Sequence, residues 1–282
     1  MGQIINGKEI ALKVKEYIKE FVDERVISGK NRPKIASILV GSDGGSIYYM
    51  NSQEKVATSL GVLFDKIILK EDIKEDELIK IIEGLNYDKE VSGIMLQLPL
   101  PKSINEKNVI NSISPLKDID CLTTESQGKL YMGEEGFLPC TPNSVMTLLE
   151  SLNISLEGKE VVVLGRSNIV GKPVAQLLLN KNATVTICHS KTKNLKEVCK
   201  RADILVVAIG RPKFIDDSYI KEGTIVIDVG TTSFEGKITG DVDFDKVLDK
   251  SGYITKVPGG VGALTTTLLI KNACEALKNN EY

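Results

Sequence analysis

Seven residues, Gly165-Arg166-Ser167-Asn168-Ile169-Val170-Gly171, follow the apolar run Val161-Val162-Val163-Leu164 and precede a helical pattern. A glycine turn between a buried strand and a helix can reverse the chain sharply and aim free backbone amides at a pyrophosphate. The spacing is not G-x-G-x-x-G: Ser167 stands in the second glycine's place, and Gly171 falls one residue late. A structural strand–turn–helix would look the same, so the βαβ context carries the nucleotide reading. The next strand, Thr184–Cys188, runs into His189-Ser190-Lys191-Thr192, and the nearest acid is Glu197. A free ribose 2′-hydroxyl usually meets Asp or Glu about 20 residues after the glycines. Here Arg166, Ser190 and Lys191 offer donors and positive charge to a 2′-phosphate. These residues favour NADP.

Other chemistry is narrowed by scarcity. The chain has one histidine, His189, so no device needing two imidazoles can be built. Its five cysteines, Cys121, Cys140, Cys188, Cys199 and Cys274, include no C-x-x-C pair, and an odd number does not suit a disulfide framework. No metal site is expected, and reduced thiols point to the cytoplasm. With 36 Lys and Arg against 38 Asp and Glu, the net charge of −2 favours neither nucleic acid nor an anionic membrane. No apolar run approaches the ~18 residues of a membrane span. Residues 1–9 lack the apolar core of a signal peptide.

The elements needed to position these residues alternate along all 282 residues, a length that predicts two domains at ~150 residues each. Ile10, Val14, Tyr17, Ile18, Phe21 and Val26 recur at helical spacing up to Gly29. Ile35–Val40, Leu63–Leu69 and Val91–Leu98 read as strands. Between them lie a helix capped by Ser46, with Tyr49, Gln53, Val56 and Leu60 on one face, and a helix over Glu75–Leu85. Residues 99–142 hold five of the nine prolines and one short helical pattern, Glu106–Ile113, which predicts a hinge and cleft. Thr141-Pro142 then reads as an N-cap followed by proline at the first helical position. A second series follows: strands Glu160–Leu164, Thr184–Cys188, Ile204–Ala208 and Ile225–Val229, helices Lys172–Leu179 and Leu195–Arg201, and a last helix over Ala263–Leu277. This alternation predicts an α/β protein of two domains, each with a parallel sheet covered by helices. The expected domains are 1–140, with a terminal helix over 264–282 returning to pack on it, and a Rossmann-type NADP-binding domain over 141–263.

Several segments, in this order, carry a resemblance. They are Tyr49 opening Y-x-x-x-x-x-K, Gln97-Leu98-Pro99-Leu100-Pro101, Lys117-Asp118-Ile119-Asp120 and Pro139-Cys140-Thr141-Pro142. Gly165-Arg166-Ser167 with Val170-Gly171-Lys172-Pro173, Gly240-Asp241-Val242-Asp243-Phe244 and Val257-Pro258-Gly259-Gly260-Val261-Gly262 complete the set. Together they resemble the methylenetetrahydrofolate dehydrogenase/methenyltetrahydrofolate cyclohydrolase family over nearly the whole chain. The resemblance implies a homodimer of two-domain α/β subunits, with folate in the cleft and NADP on the C-terminal domain. It implies oxidation of methylenetetrahydrofolate to the methenyl form, then hydrolysis to formyltetrahydrofolate. It assigns the cofactor to Gly165, Arg166, Ser167, Ser190 and Thr231, and the folate to Tyr49, Gln97, Asp120 and the Pro258-Gly259-Gly260 loop.

The residue chemistry suits these roles. Tyr49 can stack on a pterin or aryl ring, and the Asp120 carboxylate can accept paired bonds from a pterin's amino and ring N–H groups. Taken alone, each would read as an ordinary amphipathic-face tyrosine and turn aspartate. Cys121 stands where the family has glycine, Ser144 replaces another glycine, and Lys256 and Ala263 replace prolines. At the family's catalytic lysine, four residues after the tyrosine, this chain has Gln53. An amide cannot take up or release a proton near neutral pH. The expectation is a dehydrogenase with weak or absent cyclohydrolase activity. The alternatives are full bifunctionality through another water-activating group, another two-domain NADP dehydrogenase of the shikimate type, or a non-catalytic NADP sensor.

Overall fold

The computed structural model describes residues 2–280. Met1, Glu281 and Tyr282, the last two at the end of the expected 264–282 segment, lie outside the described residues. The chain divides into two compact units. One comprises the chain up to Leu12 with Pro139–Thr265; the other comprises Lys13–Leu138 with the chain from Thr266 onward.

A short strand β1 (Gln3–Ile5) and a long helix α1 (Gly7–Ile27) open the chain. Then come β2 (Lys34–Val40), α2 (Gly44–Ser59), β3 (Leu63–Leu69), α3 (Glu75–Tyr87), β4 (Gly93–Leu96), α4 (Glu106–Ile110) and α5 (Thr124–Met132). The strands form a parallel sheet in the order β3-β2-β4. β2, central in this sheet, is buried over almost its whole length, which is why it reads as a continuous apolar run and not an alternating one. Leu78 and Ile82 of α3, one turn apart, join Ala36, Ile38, Ile94 and Leu96 in the core of this unit.

The second series is α6 (Cys140–Glu150), β5 (Glu160–Leu164), α7 (Gly171–Asn180), β6 (Thr184–Cys188), α8 (Leu195–Lys200), β7 (Ile204–Val207) and β8 (Ile225–Asp228). It ends with the hairpin β9 (Thr232–Phe234) and β10 (Lys237–Thr239), α9 (Phe244–Val247), β11 (Tyr253–Thr255) and α10 (Gly262–Asn279). Six strands form one parallel sheet in the order β1-β11-β8-β7-β5-β6. The chain steps from β5 outward to β6, then back past β5 to β7. That reversal is the topological switch point where doubly wound sheets bind ligands at their carboxyl ends.

Four details differ from the sequence reading. Residues up to Leu12 cluster with the C-terminal series, not with 13–138, because β1 pairs in register with β11; a three-residue strand has no periodicity to reveal its partner. The helix over 44–59 is capped by Asp43, whose Oδ2 accepts from the Ser46 amide at 2.8 Å, so Ser46 lies inside the first turn. Pro139 occupies the N-cap of α6, and Thr141 and Pro142 lie within the helix. α5 gave no apolar periodicity: only Ser126 and Leu130 of its nine residues are buried. It is fixed by the Thr123 cap and by Gly133 at φ 72°.

Candidate active site

In the unit built on β2, β3 and β4, two of the candidates, Gln53 and Gln97, meet Ser37 in one buried polar cluster. Met50, Gln53 and Ala57 form the inward stripe of α2, at helical spacing, and Gln53 is 0% exposed. Gln97 follows β4 and donates its backbone amide to Ile38 O at 2.8 Å, which fixes its side chain over β2. Its Nε2 donates to Ser37 Oγ at 3.0 Å and to Gln53 Oε1 at 2.8 Å. Gln53 Nε2 is buried without a hydrogen-bond partner. An unfilled buried amide donor costs about 1–3 kcal/mol unless an acceptor reaches it. Tyr49, one turn before Gln53, is 38% exposed. Lys55 is exposed. Ser37 carries no motif and gave no signal in the sequence.

The Lys117-Asp118-Ile119-Asp120 segment is laid beside β4 by the Ile94–Asp118 bridge and by Ile94 N donating to Lys117 O at 2.8 Å. Lys117 Nζ donates to Leu85 O at 2.8 Å and Asp88 O at 2.6 Å, and burial pulls its pKa down. Asp118, 1% exposed, accepts from the amides of Leu122 and Thr123, each at 2.8 Å. Asn272 Nδ2 of α10 donates to Ile119 O at 2.8 Å. Lys117 and Asp118 are therefore turn anchors, whereas Asp120 is half-buried. Cys121 has φ 53°, a left-handed conformation that explains why glycine suits this position. Burial raises its thiol pKa, so it is no nucleophile.

The other unit carries the nucleotide candidates beyond the carboxyl ends of β5, β6 and β8. Gly165 has φ 133°, and a Cβ there would lie 2.2 Å from Ala208 O. Gly171 is equally constrained, with a Cβ 2.3 Å from Gly165 O. Ser167 Oγ accepts from the amides of Val170 (3.2 Å) and Gly171 (3.3 Å), which closes the turn from within. Arg166, Ser167, Ser190 and Thr231 are exposed. His189 is spent locally: its amide donates to Thr192 Oγ1 at 2.9 Å and its Nδ1 accepts from Lys191 N at 3.1 Å. The Pro258-Gly259-Gly260 loop belongs to this unit too. Gly7, at the start of α1, packs so closely on it that a Cβ would lie 2.2 Å from Gly260 O.

Asp228, at the end of β8, is 3% exposed. Burial pushes its carboxyl up to about 6, with backbone bonds from Val242, Asp241 and Gly230 opposing the rise and the Asp241 charge adding to it. The folded value lies above the unfolded one of 3.8. The folded state therefore binds this proton more tightly, and the associated stability is fully present below pH ~4 and lost as pH rises through ~6. About two pKa units correspond to about 3 kcal/mol. Urea unfolding of the natural protein and Asp228→Asn from pH 4 to 7 should show this loss only in the natural protein; parallel curves would refute it.

Among the described residues no group of three or more His, Cys, Asp or Glu is placed to hold a metal ion, and no helix is long and apolar enough to cross a membrane. A glycine turn at the switch point of a parallel sheet is the arrangement of a dinucleotide-binding α/β protein. The chain belongs to the tetrahydrofolate dehydrogenase/cyclohydrolase family: residues 5–120 match its catalytic domain and residues 139–281 its NAD(P)-binding domain. It is 76% identical over its whole length, and the whole of the relative's, to the bifunctional protein FolD of Clostridium botulinum (strain Alaska E43 / Type E3). The structure of the bifunctional enzyme FolD from Campylobacter jejuni superposes with a TM-score of 0.97 at 43% identity, covering all of both chains. That of the Trypanosoma brucei dehydrogenase-cyclohydrolase, complexed with NADP cofactor and inhibitor, gives 0.93 at 34% identity over 99% of this chain and 98% of the other. The protein is thus an enzyme of folate one-carbon metabolism, with NAD(P) as its cofactor.

Proposed function

We propose that this protein oxidises methylenetetrahydrofolate to methenyltetrahydrofolate with NADP and hydrolyses the product poorly. The observation that supports this most directly is Gln53: fully buried, bound to Gln97 and unable to exchange a proton, at the position of the family's lysine. In the oxidation the methylene C–H bond breaks, its two electrons leave as hydride to the nicotinamide ring, and the folate becomes a cation. No proton moves, so the step asks for alignment and not for an acid or base. Hydrolysis of that cation needs a water deprotonated and a nitrogen protonated, and Gln53 can do neither.

In this reading Tyr49 stacks on the folate, Asp120 binds the pterin N–H groups, and Gln97 and Gln53 turn amide groups toward it. The Pro258-Gly259-Gly260 loop is assigned to the same substrate. Gly165, Ser167 and Thr231 serve the cofactor's phosphates and ribose, and Arg166 and Ser190 its 2′-phosphate. The direct test supplies methylenetetrahydrofolate with NADP and follows the methenyl chromophore. Accumulation of that product supports the reading; its prompt conversion to formyltetrahydrofolate would restore full bifunctionality.

The cofactor preference has its own test. A charge-assisted bond to phosphate is worth roughly 1.5–3 kcal/mol, or about 10- to 150-fold. Arg166→Ala should raise the KM for NADP by that factor and leave the KM for NAD within about twofold. Faster turnover with NAD than with NADP in the natural protein would sink the assignment.

We also assign the protein to the cytoplasm, since all five cysteines are buried thiols outside any disulfide. A homodimer is supported by β3, an edge strand with Leu63 and Ile68 exposed, which offers unpaired backbone groups to a second copy.

A further inference from the structure

Two motifs of the nucleotide-binding unit, Asp228-Val229-Gly230 and Gly240-Asp241-Val242, interlock around two buried carboxylates. Asp241, 0% exposed, accepts three backbone amides in a row: Ile209 (2.7 Å) and Gly210 (2.9 Å) on Oδ2, and Arg211 (2.7 Å) on Oδ1. Its own amide donates to Asp228 Oδ1 at 3.0 Å, which also accepts from Gly230 N at 2.9 Å. Asp228 Oδ2 accepts from Val242 N at 3.0 Å. The glycines make this approach sterically feasible. A Cβ at Gly230 would lie 2.5 Å from the Asp241 carboxyl carbon, and one at Gly240 would lie 1.9 Å from Asp228 Oδ2. Six amides, and no side-chain cation in these bonds, thus serve two negative charges.

The segments held this way are the connections leaving β7 and β8, at the end of the sheet where a dinucleotide lies. β6, with Ser190 after it, flanks β5 on one side, and β7 flanks it on the other. A dinucleotide whose pyrophosphate sits over Gly165–Gly171 and whose 2′-phosphate lies toward β6 must extend its nicotinamide half toward β7. Ala208, whose carbonyl lies against Gly165, begins that connection. Because Asp241 consumes its amides, the stretch 209–211 has no backbone donors left for a phosphate. What it can turn to a ligand is carbonyl oxygen, an acceptor for ribose hydroxyls and for the carboxamide N–H of nicotinamide.

We infer that Asp241 is a positioning residue for the nicotinamide half of the cofactor, fixing residues 209–211 as an acceptor face, with Asp228 holding Asp241 in place through its backbone amide. The inference rests on the cofactor lying at the carboxyl ends of the strands, and the test separates the two ideas. NADP and adenosine 2′,5′-bisphosphate, which lacks the nicotinamide half, are titrated calorimetrically into the natural protein and Asp241→Asn. Tight binding of both to the natural protein establishes the site. In Asp241→Asn the affinity for NADP should fall about tenfold or more, with the bisphosphate within twofold and the KM for methylenetetrahydrofolate unchanged. A merely structural role would weaken both nucleotides together. Gly210→Ala serves as the second variant. Its methyl enters open space, but φ 65° strains the backbone whose amide Asp241 holds, and the substitution alters neither carboxylate itself. It should reproduce the split. Equal losses for the two nucleotides, or unchanged NADP affinity in both variants, would overturn the inference.

Discussion

Gln53→Lys should raise the rate of methenyltetrahydrofolate hydrolysis by about 10²–10⁴, the usual contribution of a general acid/base, or roughly 3–5 kcal/mol of barrier. The position is well suited to create a working base. Gln53 is fully buried beside Gln97, and desolvation lowers the pKa of a lysine placed there toward the neutral range. The ammonium cannot accept from Gln97 Nε2, so the Gln97 amide must turn its oxygen toward it; Ser37 Oγ, donor or acceptor as required, can follow. Hydride transfer makes no comparable demand on this position, so dehydrogenase activity should change by far less. The measurement is loss of the methenyl chromophore against the uncatalysed rate, in the natural protein and the variant. Rapid hydrolysis by the natural protein, or no gain in a folded variant, would mean that another group activates the water.

Asp120→Asn should cost at least about 100-fold in kcat/KM for methylenetetrahydrofolate, since two charge-assisted bonds at roughly 1.5–3 kcal/mol each are lost or weakened. NADP affinity and the melting temperature should stay near those of the natural protein. Asp118, two residues earlier, supplies the contrast. Its buried carboxylate holds the amides of Leu122 and Thr123, so Asp118→Ala should destabilise the fold by about 2–4 kcal/mol whatever it does to turnover. Normal folate kinetics in Asp120→Asn, or a stability loss matching that of Asp118→Ala, would return Asp120 to the status of a turn aspartate.

The two aspartates show where reading residues in order stops. Both sit in Lys117-Asp118-Ile119-Asp120, and nothing in that string says which faces inward. The Ile94–Asp118 bridge settles it, by pairing residues far apart in the chain. Gln53 shows the same limit from the other side. Its spacing from Tyr49 puts the two on one face of a helix, but its full burial, its bond to Gln97 and the part played by Ser37 depend on how α2 packs on the sheet.

The sequence by itself determined the local and repeating features: alternating strands and helices, the glycine turn after β5, the missing ribose carboxylate, the single histidine, and the amide in place of a lysine. These are set by residue type and short-range spacing, because strand burial, helix periodicity and turn geometry act over a few residues. Only the tertiary structure decided that the first strand joins the last one formed, that Asp228 and Asp241 interlock through Gly230 and Gly240, and that Gln53 keeps an unfilled donor. Those outcomes rest on parallel pairing and on close approaches between distant segments. Their energies arise only when the packed sheet excludes water and leaves each buried polar group to find a partner inside the fold or in a ligand.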